Sequence, residues 1–194
     1  MRGERLKHTL RLFMLSSGTK RARYLKEHDV FGSMGDRCMI MNRIVPLYAK
    51  LIKLGSNVNL ASKVSLVTHD VTHSMLNKCE GADPSSQGNA CNFHEKVGCI
   101  EIGDNVFVGA GTTVLYNVRI GSNVIIGANS LVNKDIPDNS VAAGVPAKVI
   151  SSFEDYLEKR KQEETYPIEI RPRGEAVSKA LADWCWERFY SERA

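Results

Sequence analysis

The sequence predicts a mainly β fold: a triangular solenoid of short parallel strands, with a protruding loop and a helical cap at each end. The first observation behind this prediction is a repeat of six residues between positions 102 and 137. The second is a break of about 30 residues between Asp70 and Ile100, after which the repeat resumes. The third is the helical composition of both ends of the chain. Every sixth residue of the repeat is aliphatic: Ile102, Val108, Val114, Ile120, Ile126 and Val132.

Each six-residue unit is interpreted as one strand and one corner, so that three units, or 18 residues, close one coil. The aliphatic residue points into the coil, and we expect Ile102 to stack on Ile120 and Val108 on Ile126. Glycine or alanine often follows the aliphatic residue, at a corner where a larger side chain would clash. Asparagine recurs three positions after it, which suits left-handed backbone angles. These asparagines are Asn57, Asn105, Asn123 and Asn129.

Three segments are predicted along the chain. Residues 1–35 form a helical N-terminal cap, residues 36–150 form the solenoid, and residues 151–194 form a helical C-terminal extension. The segment at about 71–100 is rich in turn-forming residues. Long loops inside compact domains are usually either functional or disordered, and we interpret this segment as a functional flap.

The C-terminal extension is predicted in three parts. Residues 152–165 begin with a serine that suits a helix N-cap. Residues 166–175 are expected to form an extended linker with two prolines. A final helix is expected over residues 176–190, with one apolar face made by Val177, Leu181, Trp184 and Phe189.

Bulk composition excludes several classes of protein. The hydrophobic content of 43%, the charged content of 25% and the net charge of +4 are typical of a soluble globular protein. No apolar run is long enough for a membrane span. The basic residues near the N-terminus have no interleaved aromatic platform, so we expect no nucleic-acid partner. Five cysteines without a CxxC pair favour a reducing cytoplasm over a disulfide framework or a zinc ribbon.

Histidine is the residue type that best suggests chemistry here. His8 and His28 lie in the predicted N-terminal cap, where packing or solvent exposure explains them. His69 lies at the last corner before the flap. A neutral imidazole at that place could take a proton from a substrate hydroxyl. Its position alone leaves a purely structural role equally open.

The repeat, the sequence Thr68-His69-Asp70 followed by His73, and the ending IPDNSVAAGVPAKVI over residues 136–150 together resemble the hexapeptide-repeat acyltransferases. The resemblance is closest to the galactoside, maltose and Nod-factor O-acetyltransferase branch, and it covers roughly residues 36–150. It implies a left-handed parallel β-helix that transfers an acetyl group from acetyl-CoA and requires no metal. It also implies a homotrimer with its sites between neighbouring subunits.

The resemblance assigns His69 as the catalytic base. The family motif Gly-His-Pro-Val-His-His corresponds here to Thr68-His69-Asp70-Val71-Thr72-His73, so Asp70 replaces a proline and the backbone beside the base is expected to differ. His69 would deprotonate an acceptor hydroxyl, which then attacks the thioester directly. The competing route is an acyl-enzyme on a cysteine, but none of the five has a motif partner nearby.

Donor and acceptor contacts follow from the same alignment. The pantetheine arm is expected against Gly109, Ala110 and Ala128. The adenine and the 3′-phosphate are expected against Asn133, Lys134, Pro146 and Lys148. The acceptor, a small molecule or a saccharide, is expected against Asn42, Asp70, His73 and His94. Further candidates for its pocket are Tyr48, Asp83, Asn92, Phe93 and Glu95.

Other functions remain open at this stage. N-acylation of an amino sugar would use the same base. The γ-type carbonic anhydrases share the fold and bind zinc through three histidines, but no histidine follows His94 in this chain. A non-catalytic scaffold would explain the solenoid, although the pairing of His69 with a long flap is not needed for stability.

Overall fold

The computed structural model of the chain describes residues 2–79, 93–174 and 176–193. The chain divides into two compact units, Met1–Tyr156 and Leu157–Ala194. Over the described residues the strands β1 to β15 are, in chain order, Ser33–Met34, Met39–Ile40, Ile52–Leu54, Val58–Leu60, Ser65–Val67, His69–Asp70, Lys96–Val97, Ile100–Ile102, Val106–Val108, Thr113–Leu115, Val118–Ile120, Val124–Ile126, Leu131–Val132, Ser140–Ala143 and Lys148–Ser152. The helices α1 to α5 are Arg2–Met14, Gly18–Glu27, Thr72–Leu76, Phe153–Gln162 and Lys179–Ser191, and 3₁₀ turns cover Ala49–Leu51 and Ile168–Ile170.

Three parallel sheets form the walls of the first unit. One wall has the order β1-β3-β8-β11, the second contains β2-β4-β9-β12-β14, and the third has the order β13-β10-β5. Strand β15 adds to the second wall by antiparallel pairing with β14. Ile102 pairs with Ile120 and Val108 pairs with Ile126, which confirms the stacking that the repeat predicts. The chain is therefore a parallel β-helix.

The interior of the coil consists of the aliphatic residues of the repeat. Val108, Val114, Ile120, Ile126 and Val132 are all 0% exposed. Burying one such side chain contributes about 1.5–3 kcal/mol relative to leaving it in water. Because each coil covers the next, this contribution recurs along the stack.

Corner residues behave as the sequence predicts, with one refinement. Asn57, Asn105 and Asn123 all have φ between 55° and 58°, and their carboxamides form a ladder with Nδ2 to Oδ1 distances of 3.0 Å. Gly109 does not have a positive φ; a Cβ placed on it would instead lie 2.5 Å from the backbone nitrogen of Ala128. Glycine is required there by the close approach of the next coil.

The N-terminal helices cover the first coil through a buried arginine. Arg21 is 1% exposed, and its guanidinium donates to the carbonyl oxygens of Ile40 at 2.9 Å and Leu15 at 2.8 Å. Arg21 thereby joins the link between helices α1 and α2 to strand β2 at the end of the solenoid, where a bare strand edge would otherwise be exposed. The first strand, Ser33–Met34, lies inside the range predicted as the cap, so the coil begins earlier than the repeat indicates.

The C-terminal extension begins with helix α4, whose N-terminus is capped as predicted. The backbone N–H of Asp155 donates to Ser152 Oγ at 3.0 Å. Ile168–Ile170 forms a 3₁₀ turn, so the prediction of a fully extended linker is wrong there.

Helix α5 has less of an apolar face than the sequence predicts. Leu181 is buried and Trp184 is half-buried against the edge of Tyr166, but Val177 precedes the helix and, like Phe189, is exposed. None of the helices described is both long and apolar enough to cross a bilayer.

Candidate active site

The flap leaves and rejoins the solenoid through a short antiparallel ladder, which we call the flap stem: strands β6 and β7, residues 69–70 and 96–97. In it His69 lies opposite Val97, and Asp70 lies opposite Lys96. Thr68 precedes the stem and is fully buried, and its hydroxyl donates to the carbonyl of Leu47 at 2.7 Å. The ladder holds His69 at the base of the flap.

The imidazole of His69 packs against an aromatic ring. The centroid of Tyr48 lies 5.3 Å from that of His69, with an interplanar angle of 78°. The Tyr48 hydroxyl donates to Glu95 Oε2 at 2.9 Å, and this carboxylate raises the pKa of Tyr48. Tyr48 has φ of 53°, a left-handed conformation that is rare for so large a residue and that often marks a functional site. Within the described residues, the buried Nδ1 of His69 has no hydrogen-bond partner.

Asp70, the residue that follows His69, makes three hydrogen bonds. Its Oδ1 accepts from the Thr72 hydroxyl at 2.6 Å and the Thr72 backbone N–H at 3.1 Å. Its Oδ2 accepts from the Tyr116 hydroxyl at 2.6 Å. The Thr72 hydroxyl, the Tyr116 hydroxyl and the Thr72 backbone N–H, in that order, lower the pKa of Asp70 to about 2, and the pKa of Tyr116 is raised in turn. Asp70 is therefore a carboxylate at neutral pH, with both oxygens bonded inside the protein.

The other predicted flap residues lie near the two ends of the flap, after β6 and before β7. His73 is half-buried in helix α3, and its Nδ1 also lacks a partner among the described residues. His94 is exposed, just before β7. The side chain of Asn77 donates to the carbonyl of Phe93 at 2.8 Å and accepts from its N–H at 2.9 Å. Two further candidates for the acceptor pocket, Asp83 and Asn92, lie outside the described residues.

Asn42 is placed among the helices of the cap and the first coils. Its Nδ2 donates to the carbonyl of Val64, and its buried Oδ1 has no partner among the described residues. It also lines a small void together with Leu12, Leu25 and Leu60. The structure thus gives Asn42 an interior environment, and its contact with an acceptor remains a prediction.

The residues predicted to bind the pantetheine arm share one corner of the solenoid. Gly109 lies closely against the backbone of Ala128, and the carbonyl of Ala110 accepts from the N–H of Asn129 at 2.8 Å. Gly109 is buried, and Ala110 and Ala128 are exposed on successive coils. The arrangement suits a linear ligand, although the assignment itself remains a prediction.

The residues predicted to bind the nucleotide end of the donor lie in the last coil. The N–H of Ala147 donates to the carbonyl of Leu131 at 2.8 Å, which places the turn containing Pro146, and Lys148 at the start of β15, beside strand β13. Asn133 and Lys134 follow that strand directly. These four predicted residues are all exposed, so both ammonium groups are available to a phosphate as point charges.

Sequence reasoning missed three residues of this site: Thr72, Lys96 and Tyr116. Lys96 Nζ lies 5.2 Å from the centroid of the Tyr116 ring, in a cation–π contact. One signal was available, because Tyr116 is the only aromatic residue at the third position of the six repeats from Ile102. The other five repeats carry short or flexible side chains at this position, so the large aromatic ring of Tyr116 indicates a contact outside the solenoid.

Together the fold and the site define a class: a parallel β-helix built on six-residue repeats, with a histidine at the base of a long inserted flap. The sequence profile described as bacterial transferase hexapeptide (six repeats) matches residues 99–134. Galactoside O-acetyltransferase of Lactococcus lactis subsp. lactis (strain IL1403) is 35% identical over 141 residues, covering 65% of this chain and 65% of that protein. The repeat match and these relatives together support the hexapeptide-repeat acyltransferase family.

Other relatives agree with this assignment. Galactoside O-acetyltransferase of Escherichia coli (strain K12) is 36% identical over 105 residues, which cover 54% of this chain and 45% of that protein. Protein CapG of Staphylococcus aureus is 40% identical over 106 residues, which cover 55% of each chain. The chain thus spans about half the length of these relatives.

Solved structures are similar to the chain over most of its length. A maltose O-acetyltransferase from Clostridium difficile 630 is 26% identical, with a TM-score of 0.51 over 78% of this chain and 85% of that chain. A galactoside acetyltransferase in complex with coenzyme A is 25% identical, with a TM-score of 0.51 over 86% of each chain.

Proposed function

We propose that the protein is an acetyl-CoA-dependent O-acetyltransferase that acts on a hydroxyl of a sugar or a sugar-containing acceptor. The observation that carries this proposal is the position of His69, at the base of the flap and against the ring of Tyr48. Two relatives named as galactoside O-acetyltransferases and a solved maltose O-acetyltransferase support the substrate class.

His69 is the general base of the proposed reaction. Its imidazole takes the proton of the acceptor hydroxyl as the oxygen attacks the thioester carbonyl of acetyl-CoA. The tetrahedral intermediate then collapses, the carbon–sulfur bond breaks, and the thiolate takes the proton back from the imidazolium. The products are the acetyl ester and coenzyme A. Such general-base catalysis typically contributes about 10²–10⁴ in rate.

The donor is proposed to lie along the corner of Gly109, Ala110 and Ala128. Its nucleotide end would reach the last coil, where Lys134 and Lys148 supply positive charge. A solved relative holds coenzyme A. We further propose a left-handed coil, a cytoplasmic location and a homotrimer in which adjoining subunits complete each cleft. Size-exclusion chromatography with light scattering should give three chains, and a stable monomer would remove the shared cleft.

The proposal is tested by thiol release from acetyl-CoA with a panel of nucleotide sugars, methyl galactoside, maltose and amino sugars. We expect a sugar hydroxyl to be acetylated. His69→Ala should reduce activity at least tenfold while coenzyme A still binds. His28→Ala is the matched control, because His28 is an exposed histidine of the N-terminal cap.

Other outcomes point to the alternatives. Acetylation of amino sugars alone would favour N-acylation, and coenzyme A binding without turnover of any acceptor would favour a scaffold. Loss of activity on treatment with a chelator would support the metal-dependent reading; among the residues described, no group of three potential metal ligands occurs. Full activity of His69→Ala would contradict the base assignment.

A further inference from the structure

We propose that Tyr116 and Asp70 act as a brace that positions His69, and that Asp70 is a positioning residue instead of a ligand for the acceptor. This inference rests on the proposed function. It concerns a pair of residues that the chain brings together across 46 positions, from the third wall of the solenoid to the flap stem.

The rigid end of the brace is the solenoid. Tyr116 directly follows strand β10, in which Val114 is fully buried and pairs with both Leu66 and Val132. A side chain that leaves the chain at this point starts from one of the best-packed parts of the molecule. Its hydroxyl reaches Asp70, the residue next to His69. The bond therefore ties the flap stem to a fixed wall.

Both strands of the flap stem are held by the same ring. Asp70 accepts from the Tyr116 hydroxyl, and Lys96, its partner across the ladder, lies over the face of the Tyr116 ring. Thr72 bonds to the other carboxylate oxygen and fixes the start of helix α3. If these contacts were removed, His69 would be oriented only by the flap stem, which has two residue pairs.

The hydrogen bonds of Asp70 argue against a direct role with the acceptor. Each of its oxygens already accepts from a hydroxyl at 2.6 Å, and one accepts from a backbone N–H as well. A sugar hydroxyl would have to compete with donors that the fold already holds in place. Positioning requires no such exchange, and a displacement of about 1 Å at a reacting group can cost on the order of 10²-fold in rate.

The decisive experiment is a double-mutant cycle with Tyr116→Phe and Asp70→Ala. The first variant keeps the ring and removes only the hydroxyl. Steady-state kinetics should show kcat reduced about tenfold in each single variant, with KM for both substrates within about twofold. The double variant should be no slower than the slower single variant, because both changes break the same bond.

The matched control is Tyr24→Phe, which removes a tyrosine hydroxyl bonded to His8 at 2.9 Å in the N-terminal cap. Its kcat should equal that of the wild type. Hydrogen exchange of residues 68–73 supplies a readout independent of turnover: it should be faster in Tyr116→Phe and unchanged in Tyr24→Phe.

Three results separate the possible failures. If Asp70→Ala raises KM for the acceptor while Tyr116→Phe leaves both constants unchanged, Asp70 binds the acceptor and the brace is wrong. If Tyr116→Phe changes neither kcat nor exchange while His69→Ala is inactive, the brace alone fails. If His69→Ala is fully active, the proposed base fails, and any faster exchange then reports only a structural role.

Discussion

The Asn105 corner and the flap stem both connect walls of the same solenoid, but they do so with different chemistry. Asn105 adopts a left-handed conformation, and its carboxamide bonds to the equivalent asparagines of the coils on either side. These are neutral, repeated contacts between exposed side chains. Around the flap stem, the hydroxyls of Tyr116 and Tyr48 instead donate to the carboxylates of Asp70 and Glu95, and Tyr48 itself has φ of 53°.

This difference distinguishes residues that the stacking of coils requires from residues that it does not require. A corner of the solenoid needs a residue that tolerates a positive φ and leaves room for the next coil, and asparagine and glycine meet both needs. The left-handed conformation of Tyr48 is costly to hold, and the repeat requires none of these contacts. Such features cluster at functional sites because the surrounding fold can maintain them there.

The largest loss of stability is expected from a substitution in the interior of the regular solenoid. Ile120→Asp places an unpaired charge at a fully buried position and should reduce the free energy of unfolding by more than about 4 kcal/mol. Circular dichroism during thermal melting would detect the loss. The adjacent Arg119→Ala is the control, because Arg119 is exposed and its pair with Glu101 at 3.4 Å should contribute at most about 1 kcal/mol. An unchanged melting temperature for Ile120→Asp would mean that the inward register is wrong.

A smaller loss of stability is expected at the regular corner. Asn105→Ala forces alanine into a left-handed conformation and removes both ladder contacts, so it should cost about 1–2 kcal/mol. Acetyl transfer should be unaffected. Asn105→Gly keeps the backbone relaxed and should cost less, which chemical denaturation can resolve. Equal losses for the two substitutions would show that the backbone angle is unimportant.

The opposite pattern is expected beside the flap stem. Tyr48→Asn relieves the left-handed tyrosine but removes the bond to Glu95, so stability should stay within about 1 kcal/mol of the wild type. Activity should fall at least tenfold, because His69 loses the ring that packs against it. Tyr48→Phe keeps that ring and should retain most activity. An active but strongly destabilised Tyr48→Asn variant would identify Tyr48 as a purely structural residue.

The smallest effect expected is the loss of the stabilising contribution of Asp70 at acidic pH. The pKa of Asp70 is about 2 in the folded protein, against an ordinary value of 3.8. A pKa that is lower in the folded state favours folding above the unfolded value, so this contribution should be complete above about pH 4 and lost as the pH falls towards 2. The difference in melting temperature between wild type and Asp70→Asn should therefore shrink over that window. A carbon-13 titration of the Asp70 carboxyl group with its midpoint near 4 would contradict the bonded geometry.

Much of the solenoid could be predicted from the sequence because its determinants are local. Each strand carries its buried aliphatic residue at a fixed spacing, and each regular corner carries its own asparagine or glycine. The strand Ser33–Met34 was missed because its corner lacks the asparagine of later corners; Arg37 adopts the left-handed conformation there, with φ of 58°. Arg21 has no such pattern either, since its role depends on one carbonyl of the cap and one at the end of the coil.

The site was less accessible to sequence reasoning. His69 stood out because it precedes the flap, but the residues that hold it come from far along the chain. Tyr116 is 46 positions from Asp70, and Tyr48 is 47 positions from Glu95. Such contacts form only after the coils stack and bring the two strands of the stem together. The six-residue repeat predicts which residues stack on each other in neighbouring coils. It does not predict the contacts that the inserted flap makes with the solenoid.

The paired hydrogen bonds between Asn77 and Phe93 have a consequence for how such enzymes can diversify. They join the two ends of the intervening segment at 2.8 and 2.9 Å, so that segment begins and ends at a fixed point. Doubling the length of a loop with fixed ends costs only about 0.6 kcal/mol in closure entropy. The length of the segment between these residues can therefore change at little cost to the fold that holds its two ends.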